Sequence, residues 1–114
     1  MGTFAAGQVV IVHFPFSDLT ASKLRPAVVL AEAGRGDWIL GQITSNAYGD
    51  AQAIELTTGS FAAGSLRMTS YARPGKLFTA NRDLITTEVG VLKADAFRRV
   101  VQAVIAILRG SLVK

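Results

Sequence analysis

The stretch Leu24-Arg25-Pro26-Ala27-Val28-Val29-Leu30-Ala31-Glu32 decides the fold of this chain. Residues 26–32 are almost continuously apolar, a pattern typical of a strand that is covered on both faces of a sheet. Proline fixes its own φ and drives the preceding residue into an extended conformation, so Arg25 is held where a loop enters this strand. A guanidinium held in this way can bind a phosphate through two parallel hydrogen bonds. An arginine at a strand edge can equally pair with a carboxylate or point into solvent, and the residues alone leave both interpretations open.

Further strands are predicted on both sides of this stretch. The glycine-rich residues 34–37 indicate a hairpin turn. Residues 81–83 suit a short helical turn, and residues 58–60 suit a turn. Extended segments are predicted from their Val, Ile, Phe and Thr content at 8–16, 38–44, 53–56, 68–71, 76–79 and 88–92.

The C-terminal region changes from strand to helix periodicity. Asp95 is a suitable N-cap, and Gly110 is a suitable stop, so a helix is expected over about residues 95–109. We expect its apolar stripe to pack on the core, with a partner-facing surface as the alternative. The stripe consists of Phe97, Val100, Val101, Val104, Ile105 and Leu108. The predicted fold class is therefore mainly β with a C-terminal helix: a small, strongly bent sheet or barrel.

Composition narrows the range of functions. The length of 114 residues, half of them hydrophobic, predicts a single domain over residues 1–114. Cysteine is absent and His13 is the single histidine, so thiol catalysis, disulfides and a two-histidine acid–base pair within one chain are excluded, and no metal site is expected. No signal peptide or membrane span is recognisable.

The charge distribution points to a polyanionic partner. The formal net charge is +4, and no acidic residue occurs between Glu55 and Asp83. Segregated positive charge favours a partner such as a nucleic acid, although an ordinary solvated face is equally compatible. The cations of this stretch are Arg67, Arg73, Lys76 and Arg82.

Several segments, taken in order, resemble the MazF/PemK toxins of type II toxin–antitoxin modules. They are Gly7-Gln8-Val9-Val10-Ile11-Val12, Phe14-Pro15-Phe16-Ser17-Asp18-Leu19, Ser22-Lys23-Leu24-Arg25-Pro26-Ala27-Val28-Val29-Leu30, Gln42-Ile43-Thr44-Ser45 and Lys76-Leu77-Phe78-Thr79. The resemblance implies a small SH3-like barrel of the MazF/CcdB type that works as a homodimer in the cytoplasm. It implies sequence-selective cleavage of single-stranded RNA, such as mRNA, without a metal or other cofactor. It also implies neutralisation by an antitoxin whose acidic, disordered C-terminal tail crosses the RNA groove.

The resemblance assigns the catalytic arginine to Arg25 and the strand-end threonine to Thr44. Arg25 would stabilise the negative charge of the transition state, and Thr44 would orient the phosphate or the attacking hydroxyl. The alternative role for Thr44 is a strand-end residue that bonds a turn amide. The residues expected to bind RNA are Lys23, Ser45, Arg67, Ser70, Arg73 and Lys76.

Loops and aromatic residues complete the predicted groove. The loops 18–23 and 71–75 are expected to flank it, and Tyr71 is a candidate for stacking on bases. Phe16 and Trp38 are expected to lie in the core instead. His13 lies in an apolar strand, so we expect a structural histidine rather than a catalytic one.

Two departures from the family pattern leave other functions open. Some relatives carry an Arg-x-Asp element that falls on residues 67–69, where Thr69 replaces the acid, and the loop before Arg25 is shorter than in many relatives. One alternative is a toxin that poisons gyrase, as CcdB does, through its terminal helix. Another alternative is an inactive module that binds RNA without cutting it.

Overall fold

The computed structural model describes residues 4–15, 22–47 and 49–113; within these, it does not define the side chains of residues 14, 15, 22 and 23. Short 3-10 turns lie at residues 58–60, 82–84 and 111–113. The strands and the helix are β1 (Gln8–Pro15), β2 (Ser22–Gly34), β3 (Asp37–Thr44), β4 (Ile54–Leu56), β5 (Phe61–Gly64), β6 (Ser70–Asn81), β7 (Ile85–Leu92) and α1 (Ala94–Gly110). None of the described helices is long and apolar enough to cross a lipid bilayer.

The described strands form one antiparallel sheet in which β2 is central. The strand order is β4-β6-β3-β2-β1-β7-β5. Successive side chains of a strand point to opposite faces, and both faces of β2 are covered. Val28 belongs to a core cluster on one face, whereas Ala27 and Val29 belong to a cluster on the other. The prediction of a central strand covered on both faces is therefore confirmed.

The sheet is curled, because its two ends share one core. Leu56 of edge strand β4 and Phe61 of edge strand β5 pack in the same cluster as Val9 and Val28 of the central strands. The helix covers this face of the sheet with Ala96 and Val100. Residues 65–69 join β5, at one end of the strand order, to β6, the second strand from the other end. A flat sheet would separate them by about 24 Å, more than the roughly 22 Å that these residues span when fully extended.

The hairpin between β2 and β3 forms where the glycine pattern predicted it. Gly34, Arg35 and Gly36 all have positive φ, at 94°, 58° and 80°. Glycine adopts such angles without steric cost, so the two glycines explain why the chain reverses here.

Two local predictions are wrong, and one strand was missed. Residues 71–75 are not a loop, because β6 is one strand in which Pro74-Gly75-Lys76 forms an insertion: Gly41 pairs with Leu77, and the next residue, Gln42, pairs with Arg73. β5 was not predicted, since its small residues Ala62, Ala63 and Gly64 carry no strand signal. Asp95 is not the N-cap, because the helix begins one residue earlier and the cap is Lys93, whose side chain makes no capping hydrogen bond.

The apolar stripe of the helix is only partly core. Val100 is buried, but Ile105 and Leu108 are exposed over 42% and 63% of their surfaces. The prediction that the whole stripe packs on the core is therefore wrong at Ile105 and Leu108. Near the end of the helix it is Ile107 that is half-buried and approaches β6, at Gly75.

Candidate functional site

Arg25 and Thr44 lie next to each other on the central strands of the sheet. β2 and β3 are paired up to Ala27 and Gln42, and Arg25 and Thr44 each lie two residues further along. Residues opposite each other in an antiparallel pair lie on the same face, and so do residues two apart in one strand. The register therefore brings the predicted catalytic pair together from positions 19 residues apart in sequence.

A cleft of about 630 Å³ opens beside this pair. Five of the eight predicted site residues contribute to its lining, namely Arg25, Thr44, Ser45, Arg67 and Ser70. Among the described residues, the lining includes two arginines and no acidic residue. The remaining lining residues are Ile11, Leu24, Pro26, Ile43, Ser65, Leu66, Met68 and Val89.

The Thr44 hydroxyl is already engaged with the loop that follows it. Its Oγ1 accepts a hydrogen bond from the backbone N–H of Asn46 over 3.2 Å. The alternative role considered for Thr44, a strand-end residue that bonds a turn amide, is therefore realised. A hydroxyl has one proton and two lone pairs, so this bond leaves the O–H proton available to donate to a ligand in the cleft.

One side of the cleft is residues 65–70, which we call the wall segment. The segment is fixed by short local hydrogen bonds: Ser65 Oγ donates to the carbonyl of Leu66 over 2.9 Å, and the Ser65 N–H donates to the carbonyl of Val89 over 3.2 Å. Ser70, which is buried, donates from Oγ to the carbonyl of Met68 over 3.0 Å. Ser70 thus lines the cleft as predicted, but its proton holds the wall segment in place.

Arg73 was predicted to contact RNA, yet it does not line the cleft. Its Nε donates to Oδ2 of Asp50 over 3.0 Å, and both side chains are largely buried. The pKa of the Asp50 carboxyl is lowered below its usual 3.8, first because the backbone N–H of Gln52 donates to it and second because of its bond with Arg73. This ion pair ties β6 to the loop that follows Thr44.

Lys76 also lies away from the cleft. It is part of the three-residue insertion of β6 and borders a separate depression of about 170 Å³ with Gln42, Leu77 and Phe78. The insertion displaces Lys76 from the regular register, which is why the basic stretch of the sequence does not become one continuous surface. The Lys23 side chain lies outside the described residues.

The other aromatic and histidine predictions have mixed outcomes. Trp38 is buried in the core, as expected. Tyr71 is half-buried and pairs with Thr44 across β3 and β6. Phe16 and residues 18–21 of the predicted loop lie outside the described residues. Residues 22 and 23 belong to β2, so the expectation that a loop extends to Lys23 and that Arg25 stands where it enters the strand is wrong. His13 is exposed rather than buried, because the alternation of β1 directs Val12 inward and His13 outward, so the expectation of a structural histidine is wrong.

The apolar part of the cleft was not predicted from the sequence. Leu24 and Met68 line it and are exposed over 58% and 62% of their surfaces. One signal was available for Leu24, which stands between Lys23 and Arg25 and so belongs to a polar stretch. Among the described residues, no three His, Asp or Glu side chains lie close enough together to hold a metal ion.

Comparison with known proteins identifies the family. A family model described as "PemK-like, MazF-like toxin of type II toxin-antitoxin system" matches residues 5–108. The comparison with curated protein sequences gives no significant match.

Solved structures show the same fold at low sequence identity. The MazE–MazF complex of Deinococcus radiodurans (Form-III) matches with a TM-score of 0.73 at 19% identity, over 91% of this chain and 94% of that chain. An endoribonuclease from a mycobacterial species, solved with its cognate antitoxin, matches with a TM-score of 0.71 at 13% identity, over 96% of each chain. The Mycobacterium tuberculosis toxin MazF-mt6 matches with a TM-score of 0.65 at 16% identity, over 88% of this chain and 96% of that chain. The expected fold class is confirmed, and the family model, which spans nearly the whole sequence, shows that this chain belongs to the PemK/MazF-like family of type II toxins.

Proposed function

We propose that the protein is an endoribonuclease that cleaves single-stranded RNA, including cytoplasmic mRNA, through attack of a 2′-hydroxyl on the adjacent phosphate. The observation that carries the proposal is the cleft in which Arg25, Thr44 and Arg67 meet, with no acidic side chain among its described lining residues. Such a cleft attracts a phosphodiester backbone, because the charged side chains in its described lining are both arginines.

The proposed reaction is a transesterification. The 2′-oxygen attacks phosphorus, the bond from phosphorus to the 5′-oxygen breaks, and the products end in a 2′,3′-cyclic phosphate and a 5′-hydroxyl. The 2′-hydroxyl gives its proton to water, and the departing 5′-oxygen takes one from water. Arg25 donates hydrogen bonds to the phosphate oxygens as they gain charge, which is the largest stabilisation such a site can offer.

Thr44 supplies the second donor in this proposal. Since Oγ1 already accepts from the Asn46 N–H, its proton is the part of the hydroxyl that is available to a phosphate oxygen. Among the described residues that line the cleft there is no histidine or carboxylic acid. In the proposed chemistry the cleft residues stabilise charge and solvent transfers the protons, without a metal ion.

The test is incubation of the pure protein with a long RNA transcript and with DNA of the same sequence, in EDTA. We expect RNA to be cut and DNA to survive, because DNA lacks the 2′-hydroxyl. Arg25→Ala should reduce the rate about 10²- to 10³-fold, whereas Arg99→Ala, on the exposed helix surface, should not change it. If RNA stays intact and the protein inhibits supercoiling by gyrase, the protein is a gyrase poison and the proposal is wrong. If the protein binds RNA without cutting it, it is the inactive RNA-binding module.

We also propose that the exposed end of the helix pairs with a second copy of this chain. Leu112 and Val113 are exposed over 82% and 81% of their surfaces, and Ile105 and Leu108 lie on the same end of the helix. Covering these side chains is favourable at about 25 cal/mol per Å² of buried apolar surface. Leu108→Glu should shift the mass measured by sedimentation equilibrium from dimer to monomer, and Lys93→Glu at the other end of the helix should not. A wild-type monomer at all concentrations would contradict this proposal.

The third part of the proposal is an antitoxin partner whose acidic tail occupies the cleft. Support comes from the positive charge of Arg25 and Arg67 and from the toxin–antitoxin complexes among the structural neighbours. The protein encoded by a small neighbouring reading frame with an acidic C-terminus should inhibit RNA binding competitively. Arg67→Gln should weaken RNA and antitoxin together, whereas inhibition unaffected by this change would place the antitoxin elsewhere.

A further inference from the structure

Leu24 and Met68 are unusual among the larger apolar residues because they are exposed inside the cleft. Their exposures of 58% and 62% contrast with full burial of Leu40, Ile43 and Leu56 in the core. They come from different elements, the first from β2 and the second from the wall segment, and both line the same space. Exposure of these two side chains to water does not stabilise the fold, so a ligand is the better explanation of their position.

The chemistry of the cleft selects that ligand. Arg25 and Arg67 offer fixed positive charge, while Leu24, Leu66 and Met68 offer apolar surface. An inorganic anion would use only the arginines, and a lipid tail would use only the apolar residues. A nucleotide uses both, because its phosphate is charged and its base has two apolar faces. The volume of about 630 Å³ lies within the range of sites for small organic ligands, about 300–1,000 Å³.

We propose that Leu24 and Met68 form a subsite for one unpaired nucleobase next to the phosphate held by Arg25. This inference rests on the proposed function and specifies what the same cleft recognises. Leu24 and Arg25 are neighbours in β2 and both line the cleft, so a base that contacts Leu24 lies within one nucleotide of a phosphate held by Arg25. The flexible thioether of Met68 adapts to aromatic rings and makes favourable contacts with them.

The wall segment gives Met68 a fixed position. Ser70 Oγ holds the Met68 carbonyl over 3.0 Å, and Ser65 anchors the other end to β7. A base-binding side chain needs such support, because a loop that must be ordered on binding loses affinity. The pair offers no hydrogen-bonding groups, so it contributes affinity for any base and discriminates by size rather than by base edge.

The test separates base binding from phosphate binding. One probe is a fluorescent pool of 2′-O-methyl oligonucleotides of random sequence, which cannot be cleaved because the attacking hydroxyl is blocked. The second probe is an abasic oligonucleotide of the same length, with the same sugar–phosphate backbone. Fluorescence anisotropy then gives dissociation constants for the wild type and for Leu24→Ala, Met68→Ala, Met68→Leu and Arg67→Gln at one salt concentration.

We expect Leu24→Ala and Met68→Ala each to weaken binding of the base-containing pool about tenfold. Binding of the abasic probe should change less than about twofold, and Met68→Leu should retain most of the affinity. Arg67→Gln should weaken both probes alike, because it removes a phosphate contact. Leu84→Ala serves as the matched control, since Leu84 is exposed over 40% of its surface and does not line the cleft.

Two results would overturn the inference. The first is equal loss of affinity for both probes in the alanine variants, and the second is no loss for either. Tight binding of the pool without cleavage of natural RNA would contradict the proposed reaction and leave the base subsite standing. If the wild type cleaves natural RNA but binds both probes equally well, the base subsite is contradicted and the proposed reaction stands.

Discussion

Arg73 donates a hydrogen bond from Nε to Oδ2 of Asp50 over 3.0 Å, and this bond connects β6 to the loop that follows Thr44. The loop is ordered further by the backbone N–H of Gln52, which donates to Oδ1 of the same carboxylate over 3.0 Å. A cation that the sequence assigned to RNA binding therefore shapes the surroundings of the proposed catalytic threonine. The hydrogen bond of Arg73 contributes to the stability of the folded protein even when no ligand is bound.

Acid should weaken this contribution. The pKa of Asp50 is lowered in the folded protein, so its contribution to stability is fully present above the usual pKa of 3.8 and is lost as the pH falls through the lowered value. Asp50→Asn should flatten the dependence of the free energy of unfolding on pH in this acidic range. The measurement is urea unfolding followed by circular dichroism. Arg73→Gln should produce the same defect, and the double variant should add little to either change.

Thr44 should respond differently to two conservative substitutions. Thr44→Ser keeps the hydroxyl and should retain cleavage within about threefold. Thr44→Val removes the donor to the phosphate and should lower kcat about 10²-fold. It also leaves the Asn46 N–H without its acceptor, which should cost about 1 kcal/mol of stability. Equal activity of the two variants in a fluorogenic RNA assay would remove Thr44 from the proposed reaction.

Salt dependence should distinguish the two arginines that the sequence grouped together. Each phosphate contact with single-stranded RNA contributes about 0.7 to the slope of log affinity against log salt. Arg67→Gln should reduce the magnitude of the slope by about this amount, since Arg67 lines the cleft. Arg73→Gln should leave the slope unchanged, because Arg73 bonds Asp50 away from the cleft. If Arg73→Gln also reduces the magnitude of the slope, Arg73 contacts RNA after all.

Gly90 should be irreplaceable for a steric reason. A Cβ at this position would lie 2.7 Å from Cδ2 of Phe61 and 2.8 Å from the carbonyl oxygen of Ala63. Gly90→Ala should therefore lower the free energy of unfolding by about 1–3 kcal/mol, because β5 must move away from β7. Gly59→Ala is the control, since its Cβ would meet only the Thr57 hydroxyl at 3.6 Å. Equal stability of the two variants in thermal unfolding would show that β5 does not pack as described.

The sequence was sufficient for the parts of the fold that depend on local pattern. The apolar run after Pro26 identified the central strand, and the change of periodicity near residue 95 identified the helix. The candidate pair Arg25 and Thr44 came from a family resemblance, and the register of β2 and β3 brings the two residues together.

The remaining features depend on register and on solvent exposure, which pattern does not determine. The insertion at residues 74–76 displaces Lys76 and leaves Arg73 facing Asp50. From sequence alone, a strand with such an insertion is predicted as two strands joined by a loop. The exposure of Leu108 could not be predicted either, since an apolar residue in the apolar stripe of a helix is most simply assigned to the core.

The wall segment is attached to edge strand β5, whereas Arg25 and Thr44 stand on central strands. Residues on central strands are constrained by neighbours on both sides. In the wall segment Leu66 packs against the core, whereas Arg67 and Met68 are exposed between two ends that are anchored by serines. Under the proposed function, exchange of Arg67 and Met68 should therefore alter the choice of RNA sequence without rebuilding the scaffold, and these two positions are the place to engineer new cleavage preferences.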